Sequence, residues 1–204
     1  MHQSIMAHIA VLGLGNWGSA IARLWLLDGH KVKGWTIEQE VYESITMEGM
    51  NHKYLPDHSL DGLEATMHVE DALDGSEIIV LALPSSVILN VVEDIIQYLR
   101  PGHVLLDLAK GLAPGKRLIS EAIHQMLNDN NMHNPLAILT GPTIAPEAAG
   151  GVMTTALVAS EDMSVADKLA STLTTPTFIL HPASDPVGAE LWGAFKNVVA
   201  LACG

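Results

Sequence analysis

Gly13-Leu14-Gly15-Asn16-Trp17-Gly18 decides the fold of this chain, because it is the pattern G-x-G-x-x-G set between a strand and a helix. The short, mainly apolar run His8–Leu12 precedes it, and Asn16–Asp28 has the apolar spacing of a helix. In this setting the first glycine permits a tight turn. The second lets a pyrophosphate approach the backbone, and the third lets the helix pack on the strand. The motif predicts a dinucleotide site on Gly13, Gly15 and Gly18, with a ligand-free glycine turn as the alternative.

Apolar runs and helical stretches alternate along the rest of the chain. The predicted strands are His8–Leu12, Lys31–Trp35, Glu77–Leu83, His103–Leu108, Leu136–Leu139, Met153–Ala159 and Thr177–Leu180. The predicted helices are Asn16–Asp28, Glu38–Glu48, Ser85–Leu99, Gly115–Leu127, Ser164–Leu173 and a last helix from Asp185 or Pro186. This alternation predicts an α/β fold with a Rossmann-like, doubly wound and mostly parallel sheet. Met50–Leu63 is predicted to be a long polar loop.

Composition narrows the functional class. The 204 residues include 10 Lys+Arg against 23 Asp+Glu, for a net charge of −13, which argues against a nucleic-acid partner. One cysteine excludes an internal disulfide, and no histidine pair has metal-ligand spacing on a helix, so no metal is expected. No apolar stretch reaches the length of a membrane span, and no basic segment suggests a secretory signal. We therefore expect a cytoplasmic protein.

Two lysines stand in unusual surroundings. Lys110 follows a predicted strand, and the carboxyl end of a strand in an open α/β sheet faces the ligand crevice. Lys196 lies in a predicted helix that is otherwise apolar, where burial would depress the pKa of its ammonium group. A lysine of this kind can act as an acid or base near neutral pH. The alternatives are a solvated loop lysine at 110 and a side chain that extends to water at 196.

The positions expected to contact the cofactor ribose and the substrate are less clearly marked. The second predicted strand ends at Trp35-Thr36, where an acidic residue would be expected to meet a ribose 2′-hydroxyl. Glu38 comes two residues later, and no arginine is present to bind a 2′-phosphate. The choice between NAD and NADP stays open, and Glu38 favours NAD. Thr143, in a turn at another strand end, could donate to a substrate oxygen or cap a helix.

Several blocks together resemble the NAD(P)-dependent glycerol-3-phosphate dehydrogenase family. They are GLGNWGSA (13–20), NHKYLP (51–56), LALPSS (81–86), KGL (110–112), GPTIAPE (141–147) and DPVGAELWGAFKNVVALACG (185–204). The resemblance implies that Asn16, Trp17, Pro84 and Ala145 border the cofactor, with Lys110 touching both cofactor and substrate. It also implies that Gly141 and Thr143 border the substrate, and that Lys196 is the catalytic acid or base with Asn197 beside it.

The resemblance also implies a domain division and a function. Residues 1–184 would form the dinucleotide-binding domain, and 185–204 would begin a helical substrate domain that family members continue well past this point. We expect hydride transfer between NAD(P)H and dihydroxyacetone phosphate, a small phosphorylated substrate. The alternatives are a 3-hydroxy-acid-type dehydrogenase and a non-catalytic nucleotide-binding module. Leu191–Gly204 is apolar nearly all round and must therefore be buried, against a missing domain or in a homo-oligomer.

Overall fold

Ten strands and eight α-helices follow one another along the described part of the chain. The computed structural model describes the backbone of residues 6–203 and the side chains of residues 6–195. The strands are β1 His8–Leu12, β2 Lys31–Trp35, β3 Met50–Asn51, β4 Leu55–Ser59, β5 Glu64–Thr66, β6 Ile78–Leu81, β7 Val104–Asp107, β8 Leu136–Thr140, β9 Thr154–Ala159 and β10 Phe178–Ala183. The helices are α1 Asn16–Leu27, α2 Gln39–Glu48, α3 Val69–Leu73, α4 Ile88–Ile95, α5 Ile119–Asp129, α6 Ala145–Ala149, α7 Met163–Leu173 and α8 Pro186–Cys203.

Eight of the strands form one sheet, in the order β10-β9-β8-β7-β6-β1-β2-β5. All neighbours are parallel except β8 and β9, so the predicted mostly parallel sheet is confirmed. From the central strand β1 the chain moves outward through β2 and β5, then returns to β6 on the other side. The switch point of the sheet therefore lies between β1 and β6, and ligands of such sheets bind beyond the carboxyl ends of these strands.

Helices cover both faces of the sheet, which explains the continuous apolar strands. One face packs Val11, Trp25 and Phe178 into a large core, and the other packs Leu12, Ile88 and Ile123. The indole nitrogen of Trp25 donates to the carbonyl of Leu173 at 3.1 Å, so its single polar atom is paired although the residue is fully buried. The sheet thus forms a rigid base for the loops at its edge.

The prediction of a long polar loop over Met50–Leu63 is wrong. Residues of this stretch form the antiparallel hairpin β3–β4, and β5 follows as an edge strand beside β2. Asn51 is fully buried and bonds to the glycine loop, and the widely spaced Leu55, Leu60 and Leu63 of the same stretch are buried in the core, so polar and apolar contacts together hold the segment. A hairpin with so few apolar residues lacks the periodicity from which strands are predicted.

The last helix exposes apolar side chains, as expected of a helix whose covering domain or partner chain is not part of this sequence. Trp192 is 70% exposed, and Leu191 and Phe195 are exposed as well. Ala189, Glu190 and Gly193 are buried on the opposite side, against the sheet domain. The side chains of Lys196 and Asn197 lie outside the described residues. The helix therefore attaches to the sheet by one side and presents an apolar surface on the other.

Candidate functional site

Four loops converge at the carboxyl edge of the parallel strands. The glycine loop follows β1, the loop with Pro84 follows β6, Lys110 follows β7, and the Gly141–Thr143 turn follows β8. Gly111 adopts φ +136°, and a Cβ on it would lie 3.0 Å from the Ser85 hydroxyl. The loops after β6 and β7 are therefore in close contact. The structure thus brings the sequence-predicted positions from four strands to one edge.

The glycine loop has the geometry that its motif predicts. Gly13 has φ +102°, and a Cβ there would lie 2.5 Å from the carbonyl oxygen of Ala82. A Cβ on Gly18 would overlap the carbonyl oxygen of Gly13, so α1 packs against the loop only because Gly18 has no side chain. Gly15 differs, because no atom lies within 4 Å of the position of its missing Cβ. The space beside Gly15 is open to a ligand.

The first turn of α1 supplies donors toward this space. Gly15 is the N-cap residue, with no side-chain hydrogen bond to the first turn and no acidic residue within it. The leading amide groups and the positive end of the helix dipole are therefore available to an anion. Asn16 is exposed, whereas the Trp17 ring packs edge-on against Phe178 with centroids 6.0 Å apart. Trp17 can therefore serve a cofactor through its backbone, while its ring belongs to the core.

The β3–β4 hairpin holds the glycine loop in place. The Asn51 amide nitrogen donates to the Leu14 carbonyl and meets the Ser19 hydroxyl, both at 2.9 Å. Ser19 in turn donates to the same Leu14 carbonyl at 3.0 Å. Sequence reasoning quoted Asn51 within a motif but gave it no role. Its signal is an asparagine two positions before Lys53, at the start of the block NHKYLP (51–56).

The Lys110 loop begins with an unexpected buried acid. Asp107 ends β7 and is fully buried, and one carboxylate oxygen accepts the Ala109 amide at 2.8 Å. The other oxygen has no hydrogen-bond partner among the described residues. Burial, with a smaller contribution from the nearby carboxylate of Glu190, raises the pKa of Asp107 to about 8, although the hydrogen bond from the Ala109 amide lowers it. Lys110 itself is exposed. Sequence reasoning missed Asp107, although an acid inside the apolar run Val104–Leu108 was a visible signal.

Glu190 connects α8 to this edge. It is 3% exposed and accepts the Ile119 amide at 2.5 Å and the Ser120 amide at 3.3 Å, together with the Ser120 hydroxyl. These are donors of the first turn of α5, where a carboxylate is favoured. Gly193 packs against Thr140 at the end of β8, where a Cβ would meet the hydroxyl at 2.6 Å. Position 196 follows by three residues, so at helical spacing its Cα lies near the side of α8 that meets the sheet.

The Gly141–Thr143 turn leads into α6. The Thr143 amide donates to the Gly141 carbonyl at 2.9 Å, and Ile144 occupies the N-cap position, so Thr143 does not cap this helix. Ala145 opens α6 and packs partly against the core, and α6 lies against α1. Arg23 of α1 secures this contact by donating to the Ala149 carbonyl at 3.2 Å. The turn therefore sits beside the helix that follows the glycine loop.

The described residues contain neither a metal-binding cluster nor a helix suited to cross a membrane. No group of three or more His, Cys, Asp or Glu side chains among them could hold a metal ion. No helix within that part of the chain is long and apolar enough to cross a bilayer.

Known proteins resemble both the sequence and the fold. The family described as "NAD-dependent glycerol-3-phosphate dehydrogenase N-terminus" matches residues 8–166. A glycerol-3-phosphate dehydrogenase [NAD(P)+] of Halothermothrix orenii is 35% identical over 198 residues, and one of Rhodospirillum rubrum is 38% identical over 203. These alignments cover 96% and 98% of this chain but 57% of each relative. The chain therefore spans a little over half the length of these relatives.

A solved structure agrees with the sequence matches. The crystal structure of glycerol-3-phosphate dehydrogenase from Coxiella burnetii has a TM-score of 0.89 and 30% identity with this chain. The match covers 97% of this chain and 60% of that protein. Its high TM-score shows that the two proteins share the same overall fold over this chain.

Proposed function

We propose a function from the family to which this chain belongs, the NAD-dependent glycerol-3-phosphate dehydrogenase family. The chain binds NAD(H) or NADP(H) for hydride transfer with a small phosphorylated substrate. The reaction interconverts dihydroxyacetone phosphate and sn-glycerol 3-phosphate. The observation that carries the proposal is the open space beside Gly15, facing the uncapped first turn of α1. The names of the relatives favour this function over a 3-hydroxy-acid dehydrogenase.

The glycine loop fits a dinucleotide. Gly15 leaves room for a pyrophosphate, and the first-turn amides at Asn16 and Trp17 supply donors. Pro84 and Ala145 border the same edge from the loops after β6 and β8. When bound, the nicotinamide supplies or accepts the hydride. The chain contributes orientation and electrostatics.

The two lysines are proposed to act on the substrate carbonyl. In the reducing direction, Lys196 donates a proton to the carbonyl oxygen as the alkoxide develops, and Asn197 orients the same group. Lys110, exposed at the end of β7, neutralises negative charge on the cofactor and substrate. Gly141 and Thr143 border the substrate from the loop after β8. In the oxidising direction Lys196 takes the proton back.

The proposed domain division follows the packing. Residues 1–184 contain the whole sheet, and 185–204 begin the helix α8 that carries Lys196. The buried Glu190 joins the two parts. The exposed apolar side chains of Leu191, Trp192 and Phe195 support a contact with further protein surface. Self-association through this helix and a cytoplasmic location stay predictions.

Gly15→Val tests the cofactor site. The valine side chain would fill the open space where the pyrophosphate approaches, and Gly15 has an ordinary backbone with φ −73°, so the fold tolerates the change. We expect affinity for NADH to fall by more than about tenfold. Fluorescence titration of the reduced cofactor measures it, and circular dichroism confirms folding.

Gly102→Val is the matched control. Gly102 also has nothing within 4 Å of its missing Cβ and lies outside the positive-φ glycines, but it precedes β7 at the amino edge of the sheet. We expect its NADH affinity to equal that of the wild type. Equal affinities in all three proteins would remove the glycine loop as the binding site.

A further inference from the structure

A cluster of charged and polar side chains lies just beyond the carboxyl end of β2. One oxygen of Glu38 accepts the Tyr54 hydroxyl at 2.9 Å, and the other pairs with the Lys53 ammonium at 2.6 Å. Lys53 also pairs with Glu40. The hydrogen bonds from Lys53 and then Tyr54 lower the pKa of Glu38, so its carboxylate is ionised at neutral pH. The orientation of Glu38 is therefore set by two partners from another segment.

That segment is itself tied to the glycine loop. Lys53 and Tyr54 lie in the turn of the β3–β4 hairpin, and the Tyr54 amide donates to the side-chain oxygen of Asn51 at 3.1 Å. Asn51 is fully buried and bonds to the Leu14 carbonyl. The cluster is therefore held at a defined position relative to Gly13 and Gly15.

The position of the cluster matches where the adenosine ribose of a dinucleotide lies in this fold. The amide of Gly13 donates to the carbonyl of Trp35 at 3.0 Å, so the glycine loop and the end of β2 are adjacent. In such folds the side chain beyond the second strand meets the ribose 2′ position: an acid accepts from the hydroxyl of NAD, and a cation binds the phosphate of NADP. Thr36 is buried, and Ile37 is apolar and exposed. Glu38 is thus the first charged group beyond this strand.

We propose that Glu38, held by Lys53 and Tyr54, is the residue that makes this chain select NAD(H) over NADP(H). The proposal rests on the proposed cofactor site. Each carboxylate oxygen can accept two hydrogen bonds, so Glu38 keeps acceptor capacity for a ribose hydroxyl. Two carboxylates, Glu38 and Glu40, surround the one ammonium of Lys53, so an incoming 2′-phosphate meets a net negative cluster. The negative charge of the 2′-phosphate is repelled by this cluster.

The test compares the affinities for NADH and NADPH by fluorescence titration, with no turnover required. The wild-type chain is expected to bind NADH at least about tenfold more tightly than NADPH. Glu38→Gln keeps the shape and removes the charge, so NADPH should bind about tenfold more tightly than to the wild type, with a smaller change for NADH. Added salt should narrow the wild-type preference because exposed charges are screened.

Glu43→Gln is the matched control. Glu43 lies on α2, the helix that follows Glu38, and its carboxylate accepts from Gln39 and not from Lys53 or Tyr54. Its loss removes the same charge and should leave the NADH to NADPH ratio unchanged. A wild type that binds both cofactors equally, or a ratio that Glu38→Gln leaves unchanged, overturns this inference alone. Binding of neither cofactor by the folded chain overturns the proposed function as well.

Discussion

Alanine at position 196 is expected to lower turnover by roughly two to four orders of magnitude in a full-length relative that carries the same lysine–asparagine block. The reason is the loss of the proton donor to the developing alkoxide. The helix that carries this position meets the carboxyl edge of the sheet, where Gly193 packs on Thr140. Position 196 follows Gly193 by three residues, and we propose that the proton donor there serves the substrate carbonyl.

The measurement is NADH oxidation with dihydroxyacetone phosphate, alongside NADH affinity on the same samples. The affinity should not change, because the glycine loop is intact. The control is alanine at the position equivalent to Lys168, in a relative that has a lysine there, since Lys168 of this chain is exposed on α7 and accepts a hydrogen bond from Ser171 only through its backbone carbonyl. Near-normal turnover of the alanine variant at 196 would assign that lysine a structural role.

Much of the sheet could be predicted because its strands are buried on both faces. Runs such as His8–Leu12 and Ile78–Leu81 are nearly all apolar, which marks a covered parallel sheet without knowledge of the neighbours. The edge strand Glu64–Thr66 has three polar or small residues, and it exists because β2 offers it a free edge. Its pairing is set by the tertiary structure, so no local pattern predicts it.

The candidate site likewise has parts that the sequence predicts and parts that depend on tertiary structure. The glycine loop could be predicted because local backbone geometry requires its glycines, as the φ of +102° at Gly13 shows. The link from Glu190 to Ile119 and Ser120 joins residues about seventy positions apart, and nothing in the sequence indicates it. Asp107 precedes Lys110 by only three residues, but its proximity to Glu190 of α8 is equally non-local. Its buried carboxyl group is the most consequential feature that the sequence interpretation lacked.

The free energy of unfolding of Asp107→Asn, measured relative to the wild type, is expected to increase as pH rises from about 4 to about 8. The pKa of Asp107 is raised to about 8 in the folded chain, first by burial and then by Glu190. An unfolded aspartate has a pKa near about 3.9. Between these values the folded chain keeps a proton that the unfolded chain releases, so wild-type stability falls by up to about 1.4 kcal/mol per pH unit. Above the folded pKa the loss is complete and the curve levels off.

Asparagine does not titrate, so the variant does not lose stability through this group as pH rises. Its side-chain oxygen can still accept the hydrogen bond from the Ala109 amide. The NH₂ group of the asparagine replaces the carboxylate oxygen that has no partner among the described residues. Leaving this buried donor unpaired lowers the free energy of unfolding of the variant by about 1–3 kcal/mol at every pH. The test is therefore how the stability difference between variant and wild type changes with pH, and not the difference at any single pH. His30 and His103, whose pKa values burial lowers, titrate in the same window but cancel between variant and wild type.

Urea unfolding at about pH 5 and about pH 8 measures the difference between the two proteins at each pH. We expect the difference to shift in favour of the asparagine variant by more than about 1 kcal/mol between them. Asp162→Asn is the control, since hydrogen bonds from Ser164 lower the pKa of that exposed carboxylate, which is therefore ionised throughout this window. The difference in free energy of unfolding between Asp162→Asn and the wild type should be the same at both pH values. A constant difference for Asp107→Asn would mean that Asp107 is already ionised in the folded chain at pH 5, contrary to the effect of its burial.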